Sequence, residues 1–202
     1  VTGVQTCALP IYPAGVTWTA IAPAAAKTIG GIFGAAGDTT GAWVVGTNAG
    51  DLPVIWRCTS STCGAGTVLN NAAGIGGKGW ARSGVVFGST IRVVGALNTD
   101  KDATPEIGIT WTSTDGGVTW ANGATIPTTT DLVSVDGLDA THIWAVGANN
   151  TAGVTTFFNG LIWTTPVQLA ATTLTAVDAI DTTRVWAVGK NASGAIVLAC
   201  GN

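Results

Sequence analysis

Apolar positions along this chain fall in short runs, never in long faces. The runs are rich in Val, Ile, Ala, Thr and Trp, and Gly, Asn, Asp and Thr separate them. No segment keeps an apolar period of 3.6 residues between helix caps. This pattern predicts short strands joined by tight turns. The stretch from 131 to 169 shows it most clearly. Residues 132–138 read as a first strand, 139–142 as a turn, 143–147 as a second strand and 154–158 as a third. Asn159-Gly160 reads as a two-residue hairpin turn, because both residues tolerate positive φ. Residues 161–165 then read as a fourth strand.

The same order recurs along the chain. Asp38-Thr39-Thr40-Gly41-Ala42-Trp43-Val44-Val45-Gly46 matches Asp139-Ala140-Thr141-His142-Ile143-Trp144-Ala145-Val146-Gly147. Both match Asp181-Thr182-Thr183-Arg184-Val185-Trp186-Ala187-Val188-Gly189. A weaker copy, Ile91-Arg92-Val93-Val94-Gly95, lacks the Asp and the Trp. The closing glycines 46, 95, 147 and 189 stand 49, 52 and 42 residues apart. A period of about 40–50 residues is that of a four-stranded propeller blade. The predicted fold is therefore all-β: a β-propeller segment of about four four-stranded blades. The blades span about 28–71, 78–127, 131–169 and 173–202, and 16–24 is the last strand of a preceding blade. Residues 12–202 form one partial propeller domain, expected to be truncated from a larger ring of about six to eight blades.

Composition narrows the function. The chain is 47% hydrophobic and 9% charged, against about 25% charged in an ordinary domain. That excludes helical bundles with charged faces. Eight basic residues, a net charge of −3 and a pI of 4.7 argue against nucleic-acid binding. Mean hydropathy is +0.44, yet polar residues interrupt every stretch well short of the roughly 18 apolar residues of a membrane span. The chain has no Met, which suggests an excerpt of a longer protein. Residues 1–11, VTGVQTCALPI, closely resemble translated sequencing adapter and are set aside from fold reasoning.

Ser113-Thr114-Asp115-Gly116-Gly117-Val118-Thr119-Trp120 fits S-x-D-x-G-x-T-W at all five defining positions. It resembles the Asp-box, or BNR repeat, of sialidase-like propellers. The resemblance implies a turn between the third and fourth strands of a blade, with a structural role away from any catalytic pocket. In such a turn Asp115 accepts backbone N–H groups, Gly117 takes positive φ, Ser113 and Thr119 add side-chain bonds, and Trp120 packs beneath. The tandem hydrophobic-Val-Gly strands are similar, more weakly, to BNR-type propellers related to a photosystem assembly factor. The repeat residues Asp38, Trp43, Gly46, Asp139, Trp144, Gly147, Asp181, Trp186 and Gly189 are read as core and turn positions. Trp120 and Trp163 are read as fourth-strand equivalents, as is Trp18; Trp56, Trp80 and Trp111 fall outside these sets.

Cys58 and Cys63 occupy the blade position that the Asp-box holds in the next repeat. A disulfide there would staple a hairpin turn. A zinc site competes with that reading, although one C-x4-C pair without a second pair or a nearby His fits zinc poorly. Cys200 stands where Cys58 stands, and its partner is expected beyond the chain's last residue. A disulfide implies an oxidising compartment and export to the periplasm, the cell surface or the exterior. The sequons at Asn149 and Asn191 are aligned between blades.

Catalytic constellations are harder to assemble. The sialidase resemblance implies three arginines on a substrate carboxylate, a Tyr–Glu nucleophile pair and an acidic Asp. The chain carries Arg57, Arg82, Arg92 and Arg184, a single Tyr12 and a single Glu106. Asp136 and Asp178 recur at one blade position and read as strand-end residues rather than paired catalysts. His142, the only histidine, sits where Gly41 and Arg184 stand in other copies, so it reads as a turn residue. Asp100, Asp102 and Glu106 form an acidic loop and a weak Ca²⁺ candidate; otherwise no cofactor or metal is expected. The function expected is a non-catalytic exported binding or scaffold module for a protein or glycan surface. A sialidase-like hydrolase fragment without its catalytic residues, and a structural subunit of a surface layer or filament, are the alternatives. An open arc of blades would leave apolar sheet faces for self-association.

Overall fold

The computed structural model describes residues 29–39, 41–59, 62–69, 78–98 and 106–200. The 16–24 strand and residues 1–11 lie outside them. The protein is all-β, with four antiparallel sheets in chain order. The first contains β1 (Ile29–Asp38), β2 (Gly41–Asn48), β3 (Pro53–Cys58) and β4 (Thr67–Val68). The second contains β5 (Lys78–Phe87), β6 (Thr90–Asn98), β7 (Ile107–Ser113) and β8 (Ala124–Thr125). The third contains β9 (Asp131–Asp139), β10 (His142–Asn149), β11 (Ala152–Phe158) and β12 (Val167–Ala170). The fourth has three described strands, β13 (Thr172–Asp181), β14 (Arg184–Asn191) and β15 (Gly194–Cys200). Each sheet is a simple meander in which sequence neighbours pair. Each packs against the next through its first strand, giving a series of propeller blades that is not closed into a ring.

Three apolar layers hold the series together. Trp43, Val45, Ile91 and Trp111 lie between the first and second sheets. Val94, Leu132, Ile143 and Phe158 lie between the second and third. A smaller group around Val146, Leu174 and Ala187 joins the third and fourth. Trp56 and Trp111, which the repeat phrase left unassigned, share one register position. Trp56 pairs with Val44 and Trp111 with Val93. Both are fully buried, and burying a ring of that size removes about 150–250 Å² from water.

The closing glycine of each repeat has a steric cause. A Cβ at Gly46, Gly95, Gly147 or Gly189 would overlap the carbonyl oxygen of Gly31, Trp80, Asp131 or Thr173 respectively. In every case the pairing with the first strand shifts register beside that glycine. The first strands thus carry a bulge at one place, and Phe33, Arg82, Val133 and Thr175 are the extra residues. Beyond the bulges of the second and third sheets, blades are tied by side chains. Ser83 Oγ accepts the Val135 N–H at 3.4 Å, and Ser134 Oγ accepts that of Val177 at 3.2 Å. Asp136 does similar work by accepting the Ala179 N–H at 2.8 Å; it is a tie between blades rather than a strand-end residue.

The fourth strand of the third sheet departs from the expected placement. It spans Val167–Ala170, not 161–165. Asn159 Oδ1 accepts the N–H groups of Leu161 and Ile162, both at 3.0 Å. These bonds hold 159–162 as a four-residue loop closed by the Phe158–Trp163 bridge, so Asn159-Gly160 is not a two-residue turn. Cys63, Trp120 and Trp163 each precede the fourth strand of their sheet by four residues. The two tryptophans are entrance residues rather than strand members.

Candidate functional site

The Ser113–Trp120 turn folds on its own polar atoms. Ser113 Oγ donates to Asp115 Oδ1 at 2.8 Å and accepts the Gly117 N–H at 2.8 Å. Asp115 accepts the Thr119 N–H at 2.9 Å and the Thr119 hydroxyl at 2.5 Å. These bonds, the Thr119 hydroxyl first, hold the Asp115 carboxyl down at about 2. Gly116 and Gly117 have φ of 71° and 83°, where L side chains are strained. A Cβ on Gly117 would also strike the Trp43 ring of the preceding sheet. Trp120 is half-buried against the first interface core. Every defining side chain of the motif therefore serves the turn or the blade junction.

The repeat residues do the same at smaller turns. Asp139 accepts the Thr141 N–H at 2.7 Å, the Thr141 hydroxyl at 2.6 Å and the His142 N–H at 2.9 Å. Asp181 accepts the Thr183 N–H at 2.9 Å and pairs with Arg184. Both carboxyls lie well below the ordinary range, through the Thr141 hydroxyl for Asp139 and the Arg184 side chain for Asp181. Asp38 stands at the same place in the first sheet. His142 Nδ1 rests on Asp139 Oδ2 at 2.9 Å in an exposed turn. The tryptophans of the repeat share a position but not an environment. Trp43 is buried beneath the next sheet's turn, whereas Trp186 is 41% exposed. Core packing thus describes Trp43 and not Trp186.

A cleft of about 820 Å³ opens between the second and third sheets. Its walls carry the polar side chains of Glu106, Thr128, Asn150, Thr151 and Gln168 beside the apolar Ile107, Ile126 and Pro127. The loop from β8 to β9 shapes it. Thr129 Oγ donates to the Ile126 carbonyl at 2.7 Å, and Thr130 Oγ to the Ala148 carbonyl at 3.0 Å. Thr128, just before them, has φ of 60°, a strained value for a β-branched residue of the kind that clusters at ligand sites. Behind the cleft wall, Arg82 donates to Asp131 Oδ2 at 3.0 Å. The same guanidinium lies 5.0 Å from the Phe33 ring and 5.2 Å from that of Trp80. Burial raises the Asp131 carboxyl against the pull of Arg82. Burial, and then Asp131, raise Glu106.

No protein-family model and no curated protein matches this chain. The site therefore rests on its own geometry.

The four arginines go to four places. Arg57 lies over Trp43, Arg82 on Asp131, Arg92 over Phe158 and Arg184 on Asp181. Tyr12, Asp100 and Asp102 fall outside the described residues, and Glu106 lines the cleft. Among the described residues, no three His, Cys, Asp or Glu side chains are grouped to hold a metal ion. Cys58 and Cys63 are joined as a disulfide. Cys200 pairs with Val185 as Cys58 pairs with Ala42, and it is exposed. No helix of the described residues is long and apolar enough to cross a membrane.

Two features escaped the sequence reading. The Arg82–Asp131 pair joins residues 49 apart, and no local pattern marks it. The second strands end on Asn48, Asn98, Asn149 and Asn191. Asn48, Asn149 and Asn191 each accept the N–H two residues on, at 2.9, 3.4 and 2.8 Å. That signal was present, since an Asn follows each closing glycine within three residues.

Proposed function

We propose that this protein is a non-catalytic, exported β-propeller binding module of the BNR/Asp-box kind that recognises a glycan surface. The polar cleft between the second and third sheets carries the reading. Its threonine, asparagine and glutamine side chains match the dense donors and acceptors of a hydroxyl-rich ligand, which resists desolvation unless those groups are satisfied. The Cys58–Cys63 disulfide suits the oxidising surroundings of an exported protein. A glycan array probed with the 202-residue chain is the test. Binding to a defined glycan, weakened at least tenfold by Asn150→Ala with Gln168→Ala, is the expected result. Binding to no glycan would sink the reading.

A second reading, hydrolysis of glycosidic bonds, is favoured by one observation. Glu106 lines the cleft, and burial raises its carboxyl from the ordinary value, the direction an acid catalyst needs. On that reading the chain cleaves an aryl glycoside, and Glu106→Gln abolishes the cleavage. No turnover by the parent chain would exclude it.

A further inference from the structure

A second groove, about 520 Å³, lies between the same two sheets and shares residues 125–127 with the polar cleft. Its chemistry is different. Arg92 projects from β6 at the register position where the other sheets carry Trp43, Trp144 and Trp186. Arg92 pairs with Thr112 as those residues pair with Arg57, Phe157 and Ala199. Its guanidinium carbon lies 3.6 Å from the centre of the Phe158 ring. Nη1 donates to Thr112 Oγ at 3.0 Å, and Nε is buried with no hydrogen-bond partner. Among the described residues, no carboxylate lines this groove. A guanidinium keeps its charge in proteins, so the groove holds a positive charge that nothing in it neutralises.

Two further features restrict what could complement that charge. The wall beside Arg92 is apolar. Phe158 and Trp163 pack with centroids 5.5 Å apart and planes tilted by 54°, and Leu161 and Ile162 at the rim are 87% and 64% exposed. The border is β8, whose Ala124 and Thr125 line the groove. β8 is the edge strand of its sheet, hydrogen-bonded to β7 on one side only. An open edge accepts an extended chain through its backbone groups.

We propose that this groove captures the carboxyl end of an extended peptide. The terminal carboxylate sits on Arg92, which suits the planar fork of the guanidinium. The last side chain, an apolar one, rests against Trp163 and the exposed Leu161 and Ile162 at the rim. The peptide backbone runs along the free edge of β8. The groove adjoins the glycan cleft at residues 125–127 but does not include Asn150 or Gln168, so its failure leaves the glycan reading untouched.

The test uses two fluorescein-labelled hexapeptides of one sequence, Gly-Ser-Ala-Thr-Val-Leu, one ending in the free acid and one in the amide. Fluorescence polarisation with the 202-residue chain should show the acid bound at least tenfold more tightly. Arg92→Trp installs the residue that the other three sheets carry and so suits the fold; it should abolish the preference. Arg92→Met, which keeps an apolar stem over Phe158, should do the same. Equal affinity for acid and amide would overturn the proposal, as would an undiminished preference in both variants, or no binding of the acid at millimolar protein. Octanoate displacing the peptide at equal concentration would overturn it in favour of a small organic acid. An unchanged affinity when the last residue is Asp would overturn the apolar contact.

Discussion

At the scale of single residues, the protein depends on contacts that leave no room for change. The glycine after each Trp-x-Val phrase faces a carbonyl oxygen at the bulge of the first strand. Backbone opposes the added Cβ there, so relief requires the strand pair to separate. Gly147→Ala should therefore destabilise the protein by about 1–3 kcal/mol or more, the cost of forcing a methyl into a packed site. Gly64→Ala is the control. Gly64 is exposed and its added Cβ would lie 3.6 Å from the Arg57 carbonyl, an ordinary contact, so the change should stay within about 0.5 kcal/mol. Equilibrium denaturation in urea measures both, and equal midpoints would refute the steric account. The glycines themselves were visible in the sequence as a repeat. Their reason was not, because the opposing carbonyl comes from a strand about fifteen residues earlier and the bulge has no composition signature.

At the scale of the element, the second strands of the third and fourth sheets are bounded by side chains that fold back onto the chain. An Asp-x-Thr turn precedes each of the two, and an Asn turn follows it there. Such turns are read readily from sequence, since Asp and Asn mimic a backbone carbonyl at short range. They also carry a pH dependence. Asp115, Asp139 and Asp181 have folded carboxyls depressed below an unfolded value near 3.9. A depressed folded value contributes stability above the unfolded one, lost as pH falls through the folded value. The melting temperature should thus fall steadily below about pH 4, and Asp139→Asn should flatten that fall. A melting temperature constant from pH 5 to pH 2 would contradict these turn bonds. Element boundaries were less visible. The apolar run at 161–165 resembles a strand, but Asn159 captures its first amides, and pairing resumes only at Val167–Ala170. A competition between a side-chain cap and a ladder is settled by geometry, which alternation alone does not describe.

At the scale of the whole molecule, apolar side chains are buried at the junctions between the described sheets and exposed on the outer face of the fourth. Trp43 lies beneath the Gly117 turn of the next sheet, while on the outer face of the fourth sheet Trp186, Val188 and Val197 are 41%, 40% and 67% exposed. A contiguous apolar face of this kind favours association. The 202-residue chain is expected to elute from size-exclusion chromatography above its monomer mass of 20.1 kDa, and Trp186→Lys should move it toward the monomer. A parent chain that elutes as a clean monomer would refute the expectation. What the amino-acid sequence determined by itself was the strand-and-turn class, the repeat period, the disulfide partners and the polar turns. All of these arise from neighbours a few residues apart or from a pattern repeated along the chain. The tertiary structure alone decided the bulge beneath each glycine, the Arg82–Asp131 tie, and the placing of Arg92 against an aromatic wall and an open strand edge. Those depend on which residues of successive sheets meet, and contact across a blade junction is set by packing between residues some 40–70 positions apart.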